Sequence, residues 1–475
     1  ELKNGWKWTF TIWYITYKYF FKHENMSDRQ IIGRSRETER LKELLSAPGP
    51  HLITVRGETG VGKTALLEEA AKERRLFRFE AADMNSRLLL RSFTSDFNQF
   101  FGKNEAEFPS WEDALKSVFE ASLQTGSAIA FDRFEALCGA VPEFPAVLRE
   151  VFQSVRTPSP CPLILSGGGV AWMRETVSGF KSPLYGLPNT TIELSGLSLR
   201  DMPAFFPGWT PADQFTVWAL FGGVPGVLAL FNREETLDTN LSRLLTRGSV
   251  FDFAVRLATE TPFREPRIYH SIMSAVARDC DTPGKIAAWI GETEAKCGKY
   301  LSGLVRSGLV TKIFPCGVPK DGRKGLYRLS SPALKLWYRC LFMGSGNGAS
   351  GLKTRLNAIL GEPLALASSD ALTRLGRRSR LRFMPEESGL LEGVQSDSGT
   401  LFALTDASKT DWLIGLASAD PTPVGEAALR GFALHALKGR DDRRTDLAAS
   451  SLAGYTDEAR NFAETAGIRL LELPD

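Results

Sequence analysis

The sequence predicts an α/β fold with a parallel sheet and a phosphate-binding loop in its first domain. The apolar strand His51–Arg56 leads into a glycine-rich loop, and that loop opens a helix predicted over Lys63–Lys72. Two further apolar runs, Ser127–Phe131 and Pro162–Leu165, are separated by helical stretches. Strands that alternate with helices form right-handed β-α-β units, and such units build parallel sheets.

The bulk properties of the chain indicate several domains. Its 475 residues predict about three domains, because single cores stop growing well below this size. Hydrophobic residues make up 43% and charged residues 24% of the chain, which disfavours disorder and a multi-span membrane protein. The net charge of +3 gives no sign of nucleic-acid binding, so any DNA contact requires a local basic patch.

The first 25 residues are crowded with aromatic side chains. Lys7 and Lys18 interrupt their apolar run, which fits poorly to a membrane-spanning helix of about 20 apolar residues. No small-residue cleavage site follows, so a signal peptide is disfavoured and no stable membrane insertion is expected. Residues 1–25 are predicted to be an extension upstream of a natural start at Met26, with an interfacial anchor as the open alternative.

The cysteines favour a reducing compartment. They are far apart and form no C-x-x-C pair, which disfavours both zinc and a disulfide framework, and the cytoplasm is the predicted location. Their positions are Cys138, Cys161, Cys280, Cys297, Cys316 and Cys340.

The phosphate loop carries the strongest functional signal. The segment matches G-x-x-x-x-G-K-[ST] in full and lies between a strand and a helix, as a true phosphate loop requires. Its backbone N–H groups and the helix N-terminus would hold a phosphate, Lys63 would reach the β- and γ-phosphates, and the Thr64 hydroxyl would bind Mg²⁺. The sequence therefore predicts binding of ATP or ADP with Mg²⁺. The loop residues are Gly57, Glu58, Thr59, Gly60, Val61, Gly62, Lys63 and Thr64.

The second part of the predicted site is a carboxylate at the end of a neighbouring strand. Asp132 follows the apolar run that ends at Phe131 and is the candidate partner of Thr64 at Mg²⁺. In hydrolytic proteins of this fold a glutamate often comes next, but here the next residue is Arg133. Glu135 is the candidate catalytic residue, on the condition that the backbone turns it back toward the site. Hydrolysis is therefore left open.

Three further polar residues are candidate nucleotide contacts. Ser166 ends the strand predicted over Pro162–Leu165, where a polar side chain can sense the γ-phosphate, although an ordinary strand-end serine is the alternative. Arg34, in the stretch that precedes the predicted helix Glu37–Leu45, could lie near the base or the phosphates, as could Arg36. A solvated helix start is the alternative for this stretch.

The later parts of the chain predict three more segments: a helical segment 201–262 after the nucleotide domain 26–200, a winged helix 263–343 and an α/β domain 352–475. The winged helix is predicted from three helices followed by a basic hairpin and a closing helix. The three helices are Ile268–Arg278, Pro283–Ile290 and Glu292–Ser307. The hairpin consists of the strand Leu309–Phe314, the turn Pro319–Gly325 and the strand Leu326–Leu329, and the closing helix is Ala333–Phe342. In the last segment, strands are predicted near Leu381–Met384, Thr400–Thr405, Trp412–Leu416 and Arg469–Leu473, and helices over Lys353–Leu360, Gly425–Leu437 and Thr456–Ala466.

These landmarks together resemble the archaeal-type ATPases of the STAND branch of AAA+ proteins over about residues 30–342. The resemblance rests on ordered motifs, which are Ile32–Arg34, the phosphate loop, Phe131–Asp132, Leu163–Gly167, Ser182–Gly186 and Gly222–Pro225. It implies an ATP-driven switch, with a protein partner or self-association. It also implies that Pro225 lies in a turn near the nucleotide, with an ordinary helix-breaking turn as the alternative. Arg133 and Gly168 depart from the family pattern, and both departures weaken the expectation of turnover.

The C-terminal segment is similar to a PD-(D/E)XK nuclease domain, in which acids and a lysine on neighbouring strands hold a metal and activate water. Residues 400–409 resemble the strand that ends in E-x-K, but Ala407 stands where the acid belongs and Asp406 is one position off. A degenerate, non-cutting domain is therefore predicted. The earlier acid is uncertain between Glu392 and Asp397, and Lys409 is the candidate lysine.

Two rival functions accompany the switch. An ATP-regulated nuclease would use the C-terminal domain. A nucleotide-gated DNA-binding protein would use the cations of the winged helix, although such a domain can also serve only as a packing module. These cations are Lys296, Lys299, Arg306, Lys312, Lys320, Arg323 and Lys324.

Overall fold

The structure is a computed structural model. It describes residues 31–155, 161–168, 170–187, 189–259, 266–314, 325–342, 360, 364, 389–396, 399–405, 411–419, 422–437 and 444–472. The described residues divide into two compact units. The first unit ends at Leu197 and also takes Val224–Ala229, and the second holds Ser198–Gly223 and the residues from Leu230 onward. The finer division proposed from the sequence stays a prediction.

The first unit is built on a five-stranded sheet in the order β2-β3-β4-β1-β5. All neighbouring strands in it are parallel, which confirms the predicted parallel sheet of a phosphate-loop fold. The strands β2 and β5 were not predicted. The five strands are β1 (Pro50–Gly57), β2 (Leu76–Glu80), β3 (Ala128–Asp132), β4 (Cys161–Gly167) and β5 (Asn189–Leu194).

The helices as far as Thr259 follow the same chain order. They are α1 (Ser35–Ser46), α2 (Lys63–Ala70), α3 (Ser86–Phe101), α4 (Trp111–Thr125), α5 (Phe134–Ala140), α6 (Phe144–Ser154), α7 (Val170–Ser178), α8 (Met202–Phe205), α9 (Pro211–Phe221), α10 (Pro225–Leu228), α11 (Leu237–Leu244) and α12 (Val250–Thr259). The short helix α10 belongs to the first unit, although its neighbours along the chain belong to the second.

Two separate cores cover the two faces of the parallel sheet. One is rich in aromatic side chains and includes Phe77, Phe79 and Phe131. The other is aliphatic and includes Leu66 and Leu67 of α2. Because side chains alternate along a strand, the polar residues of β2 face away from the aromatic core and toward α2.

The second unit contains, in chain order, the three helices and the antiparallel strand pair that the sequence predicts. Their bounds are α13 (Pro266–Ala277), α14 (Pro283–Ile290), α15 (Glu294–Arg306), β6 (Val310–Ile313), β7 (Leu326–Leu329) and α16 (Pro332–Trp337), and α16 continues into a π-helical turn over Tyr338–Phe342. The basic turn Pro319–Lys324 lies outside the described residues. The assignment of these elements as a winged helix stays a prediction.

A buried carboxylate joins α12 to α16 in the second unit. Asp252 is 3% exposed, and its Oδ1 accepts a hydrogen bond from the indole N–H of Trp337 at 2.7 Å. Burial raises the pKa of Asp252, but bonds from the Gly248 N–H, Trp337 and Arg256 outweigh this effect and lower it. The buried charge is therefore paired, as a stable interior requires.

The C-terminal segment also forms a five-stranded sheet, in the order β12-β11-β10-β9-β8. The strand β9 is antiparallel to both of its neighbours, β8 and β10, whereas β11 is parallel to both β10 and β12. The bounds are β8 (Gly389–Ser396), β9 (Gly399–Thr405), β10 (Asp411–Ser418), β11 (Arg444–Ser451) and β12 (Ile468–Glu472), with helices α17 (Glu426–Leu437) and α18 (Asp457–Ala466). The predicted strand Leu381–Met384 and most of the predicted helix Lys353–Leu360 lie outside the described residues.

In the residues that the structure describes, no helix combines the length and apolar character that crossing a membrane requires. Residues 1–25, on which the interfacial-anchor alternative rests, lie outside them.

Candidate functional site

The candidate site lies at the carboxyl edge of the parallel sheet, where the loop after β1 meets the ends of β3 and β4. Gly60 and Gly62 have φ angles of 82° and 100°, in the left-handed region that favours glycine. A Cβ at Gly57 would lie 2.4 Å from the backbone oxygen of Leu194. The glycines of this loop are therefore required by its backbone path as well as by the close approach of β5.

Lys63, the first residue of α2, lies across the loop. Its Nζ donates hydrogen bonds to the backbone oxygens of Gly57 at 2.8 Å and Glu58 at 2.9 Å. Burial lowers the pKa of Lys63, and the carboxylates of Glu135, Asp132 and Glu58 partly oppose that shift. The ammonium is thus held by neutral carbonyls, which an anionic phosphate could replace.

The carboxylate of Asp132, the last residue of β3, accepts three hydrogen bonds. Its Oδ2 accepts from Thr64 Oγ1 at 3.0 Å and from Arg78 Nη1 at 3.1 Å, and its Oδ1 accepts from the Arg133 backbone N–H at 3.0 Å. The residue is only 3% exposed, so these partners compensate a buried carboxylate. The structure thereby brings together the predicted pair Thr64 and Asp132.

The turn after β3 separates Arg133 from Glu135. Arg133 adopts a left-handed backbone conformation with φ 55°, and its guanidinium pairs with Asp83 at 2.8 Å. Glu135, in the first turn of α5, accepts a hydrogen bond on Oε1 from the Gly168 backbone N–H at 3.2 Å. Its Oε2 is buried and has no hydrogen-bond partner among the described residues.

Ser166 is fully buried near the end of β4, which lies between β1 and β3. Its Oγ has no hydrogen-bond partner within the described part of the chain. A Cβ at Gly168, two residues later, would lie 3.2 Å from Thr59 Oγ1 and 3.3 Å from Glu135 Oε1. A larger residue at 168 would therefore crowd both the phosphate loop and the Glu135 carboxylate.

Arg34 lies behind the phosphate loop. Its Nη2 donates to the Val61 backbone oxygen at 3.1 Å and to the Ser195 backbone oxygen, and its Nη1 lies 3.6 Å from Glu37 Oε1. The residue is 4% exposed. This geometry holds the loop against the end of β5, and direct contact of Arg34 with a nucleotide stays a prediction.

Pro225 is the first residue of α10, and the next residue, Gly226, is bonded to the phosphate loop. The Gly226 backbone N–H donates to the Gly60 backbone oxygen at 2.9 Å, and a Cβ at Gly226 would lie 3.1 Å from Gly60 Cα. Gly226 was missed from the sequence, although it directly follows the Gly-x-Pro motif. Arg78 was missed too, and the only signal was the alternation of β2, which turns Arg78 away from buried Phe77 and Phe79.

Most candidate residues of the nuclease hypothesis lie outside the part of the chain that the structure describes. Asp397, Asp406, Ala407 and Lys409 lie outside the described residues, and Glu392 lies on β8. Within the described residues, no group of three or more His, Cys, Asp or Glu side chains could hold a metal ion.

A family model matches the part of the chain that holds the candidate site. Residues 30–165, which include the phosphate loop and Asp132, match the family model described as an AAA ATPase domain. The chain is 21% identical over 360 residues to an uncharacterized protein of Methanocaldococcus jannaschii, covering 74% of this chain and 79% of that protein.

Among solved structures, a Walker-type ATPase of Pyrococcus abyssi is similar, with a TM-score of 0.52, 18% sequence identity and coverage of 65% of this chain and 96% of that chain. The ORC2 protein of Aeropyrum pernix matches with a TM-score of 0.44, 14% identity and coverage of 72% of this chain and 97% of that chain. The likeness to the Pyrococcus abyssi structure shows that the chain shares its fold.

Proposed function

We propose that this chain is an ATP-binding molecular switch of the STAND type within the AAA+ proteins, with slow hydrolysis of ATP. The observation that carries the proposal is the 3.0 Å pairing of Thr64 with Asp132 beside a complete phosphate loop. The AAA ATPase match over residues 30–165 supports it. A protein partner or a second copy of the chain would receive the signal.

A nucleotide with Mg²⁺ fits the residues that are present. Mg²⁺ prefers oxygen ligands and keeps several waters, so Thr64 Oγ1 and Asp132 suffice as protein ligands beside phosphate oxygens. When bound, the ion neutralises charge on the phosphate oxygens. The loop N–H groups and Lys63 would hold the phosphates, and the buried Ser166 hydroxyl supplies an uncommitted donor near the end of β4.

Hydrolysis would depend on Glu135. Its Oε1 is anchored by the Gly168 N–H, which leaves the buried Oε2 to accept a proton from an attacking water. Arg133 is paired with Asp83, so its side chain does not occupy the position of the attacking water beside Glu135. We therefore assign the general base to Glu135 and a supporting role to the left-handed turn at Arg133.

The route of the switch is the segment Val224–Ala229. This segment belongs to the first unit, while the residues before and after it belong to the second. The hydrogen bond from Gly226 to Gly60 ties the segment to the phosphate loop, so a change in the loop reaches the second unit through the covalent chain. Coupling of this kind requires the ligand to bind the two loop states with different affinity.

Hydrogen exchange of the full chain tests the switch. With ATP and Mg²⁺, amide exchange in the peptide that contains Gly226 should slow at least several-fold relative to the same chain with ADP and Mg²⁺. Lys63→Ala should remove the difference. Equal exchange of that peptide with ATP, with ADP and without nucleotide would count against a switch and leave a simple binding protein.

DNA binding through the predicted winged helix is a second candidate. Lys296, Lys299 and Arg306 are all exposed on α15, and Lys296 also pairs with Glu292 at 2.7 Å. Phosphate contacts by these residues would make binding depend steeply on salt. Loss of salt-dependent duplex binding in Lys299→Glu, with retention in Lys285→Glu, would support this function.

The nuclease alternative rests on the sequence resemblance, and metal-dependent cleavage abolished by Lys409→Ala would support it.

A further inference from the structure

Arg78 on β2 is the one cation that contacts the buried carboxylate of Asp132 in the described part of the site. Its Nη1 lies 3.1 Å from Asp132 Oδ2, the same oxygen that accepts from Thr64. The sequence gives it no role, and the proposed function does not use it. Yet its bonding partner is the residue that would ligate Mg²⁺.

The guanidinium of Arg78 is also close to two other carboxylates. Its Nη1 lies 3.3 Å from Glu80 Oε2, and its Nη2 lies 3.6 Å from Glu68 Oε1. Glu80 is opposite Asp132 in the β2–β3 register, and Glu68 lies one turn beyond Thr64 on α2. Arg78 therefore bridges the Mg²⁺ ligand Asp132 to acceptors on two different elements.

The bond between Arg78 and Asp132 competes with a metal ion for the same oxygen. Asp132 is almost fully buried, so its negative charge needs a cationic partner in each state of the site. A planar guanidinium with several donors can leave one carboxylate and keep bonds to others. The side chain is about one-quarter exposed, at 27%, which gives it room to move toward Glu68 or Glu80.

We infer that Arg78 is a stand-in cation that neutralises Asp132 in the metal-free site and moves to Glu68 and Glu80 when Mg²⁺ binds. This inference rests on the proposed nucleotide function. Arg78 then acts as a positioning residue that sets how strongly nucleotide binding depends on Mg²⁺. It also links the metal state to β2 and to the outer face of α2.

The test is calorimetric titration of the full chain with ADP, once with Mg²⁺ and once with EDTA. The measured quantity is the ratio of the dissociation constant in EDTA to that in Mg²⁺. In Arg78→Gln this ratio should rise about tenfold, or ~1.4 kcal/mol, because Mg²⁺ no longer displaces a cation and metal-free ADP meets an uncompensated Asp132. Arg78→Lys, which keeps the charge, should leave the ratio within about threefold of wild type.

The matched control is Arg91→Gln, which breaks an exposed pair with Glu107 outside the site. Its ratio should equal that of wild type. The inference is wrong if Arg78→Gln changes the ratio no more than this control does. It is also wrong if Arg78→Gln weakens the binding of ADP equally in Mg²⁺ and in EDTA. A wild-type chain that binds no ADP would instead overturn the proposed function.

A second variant keeps the inference testable if Arg78→Gln fails to fold. Glu68→Gln removes one acceptor to which Arg78 would move, so Mg²⁺ should become a poorer competitor and the ratio should fall several-fold. The partly exposed position of Glu68 makes this change mild for the fold. An unchanged ratio in Glu68→Gln would contradict the proposed movement of Arg78.

Discussion

The turn after β3 places two charged side chains in opposite surroundings. Arg133 extends to Asp83 on the outside of the site, whereas Glu135 is turned inward and held by the Gly168 N–H. The left-handed conformation of Arg133 makes this arrangement possible, because it redirects the chain between the end of β3 and the start of α5. A comparison that asks only whether a glutamate directly follows Asp132 finds Arg133 there and misses Glu135, two positions later.

Turnover measurements on substituted chains test that division of roles. Glu135→Gln should lower the rate of ATP hydrolysis by at least about 100-fold, since a positioned general base contributes roughly 10²–10⁴-fold, with ATP affinity changed only a few-fold. Arg133→Glu should leave turnover within a few-fold of wild type. Glu120→Gln, an exposed change on α4, is the control.

Three outcomes would contradict the assignment of Glu135. The first is a wild-type chain without measurable turnover, and the second is wild-type turnover in Glu135→Gln. The third is hydrolysis gained in Arg133→Glu, which would mean that position 133 is the place of the base and that the natural protein only binds ATP.

The sequence could predict those parts of the site that belong to a known motif. The loop from Gly57 to Thr64 could be predicted because a single contiguous motif specifies it. The contact between Arg78 and Asp132 could not, because it depends on β2 and β3 being neighbours in the sheet. No local pattern states which strands are adjacent.

At the scale of elements, the order of the strands explains the place of Ser166. The strand β4 lies between β1 and β3, and Val55 is opposite Ser166 in the register. Ser166 is thus near both the phosphate loop and Asp132. The sequence predicts these three strands from their apolar runs, but it missed β5, a sheet-edge strand in which only alternate residues such as Ile192 and Leu194 are buried.

The contact between α10 and the phosphate loop leads to an element-scale prediction. Gly226→Ala places a Cβ 3.1 Å from Gly60 Cα, so the two backbones must move apart by a few tenths of an ångström. We expect ATP affinity to fall about three- to tenfold, or ~0.7–1.4 kcal/mol, with little change in melting temperature. Calorimetric titration with ATP measures the change.

The control for this prediction is Gly298→Ala on α15, where an added Cβ meets nothing within 4 Å. It should leave ATP affinity unchanged, and as a helical substitution it should raise stability slightly. Wild-type ATP affinity in Gly226→Ala would show that the approach of α10 to Gly60 does not matter for the nucleotide.

At the scale of the whole molecule, the proposed switch depends on the path of the chain between its two units. The described residues divide into two compact units, and the first takes the short segment Val224–Ala229 from within the second. Two connections therefore leave that segment, one on each side. In the proposed switch, a nucleotide at the loop would influence the second unit through both of these connections.

The central claim is that the loop from Gly57 to Thr64 binds ATP, and calorimetric titration of Lys63→Ala with ATP and Mg²⁺ tests it most directly. Lys72→Ala, an exposed change just beyond α2, is the matched control. Wild type and the control should bind ATP alike, whereas Lys63→Ala should lose binding or weaken it at least about 10- to 100-fold, given ~1.5–3 kcal/mol for a charged hydrogen bond. Undiminished ATP affinity in a folded Lys63→Ala chain would contradict the claim.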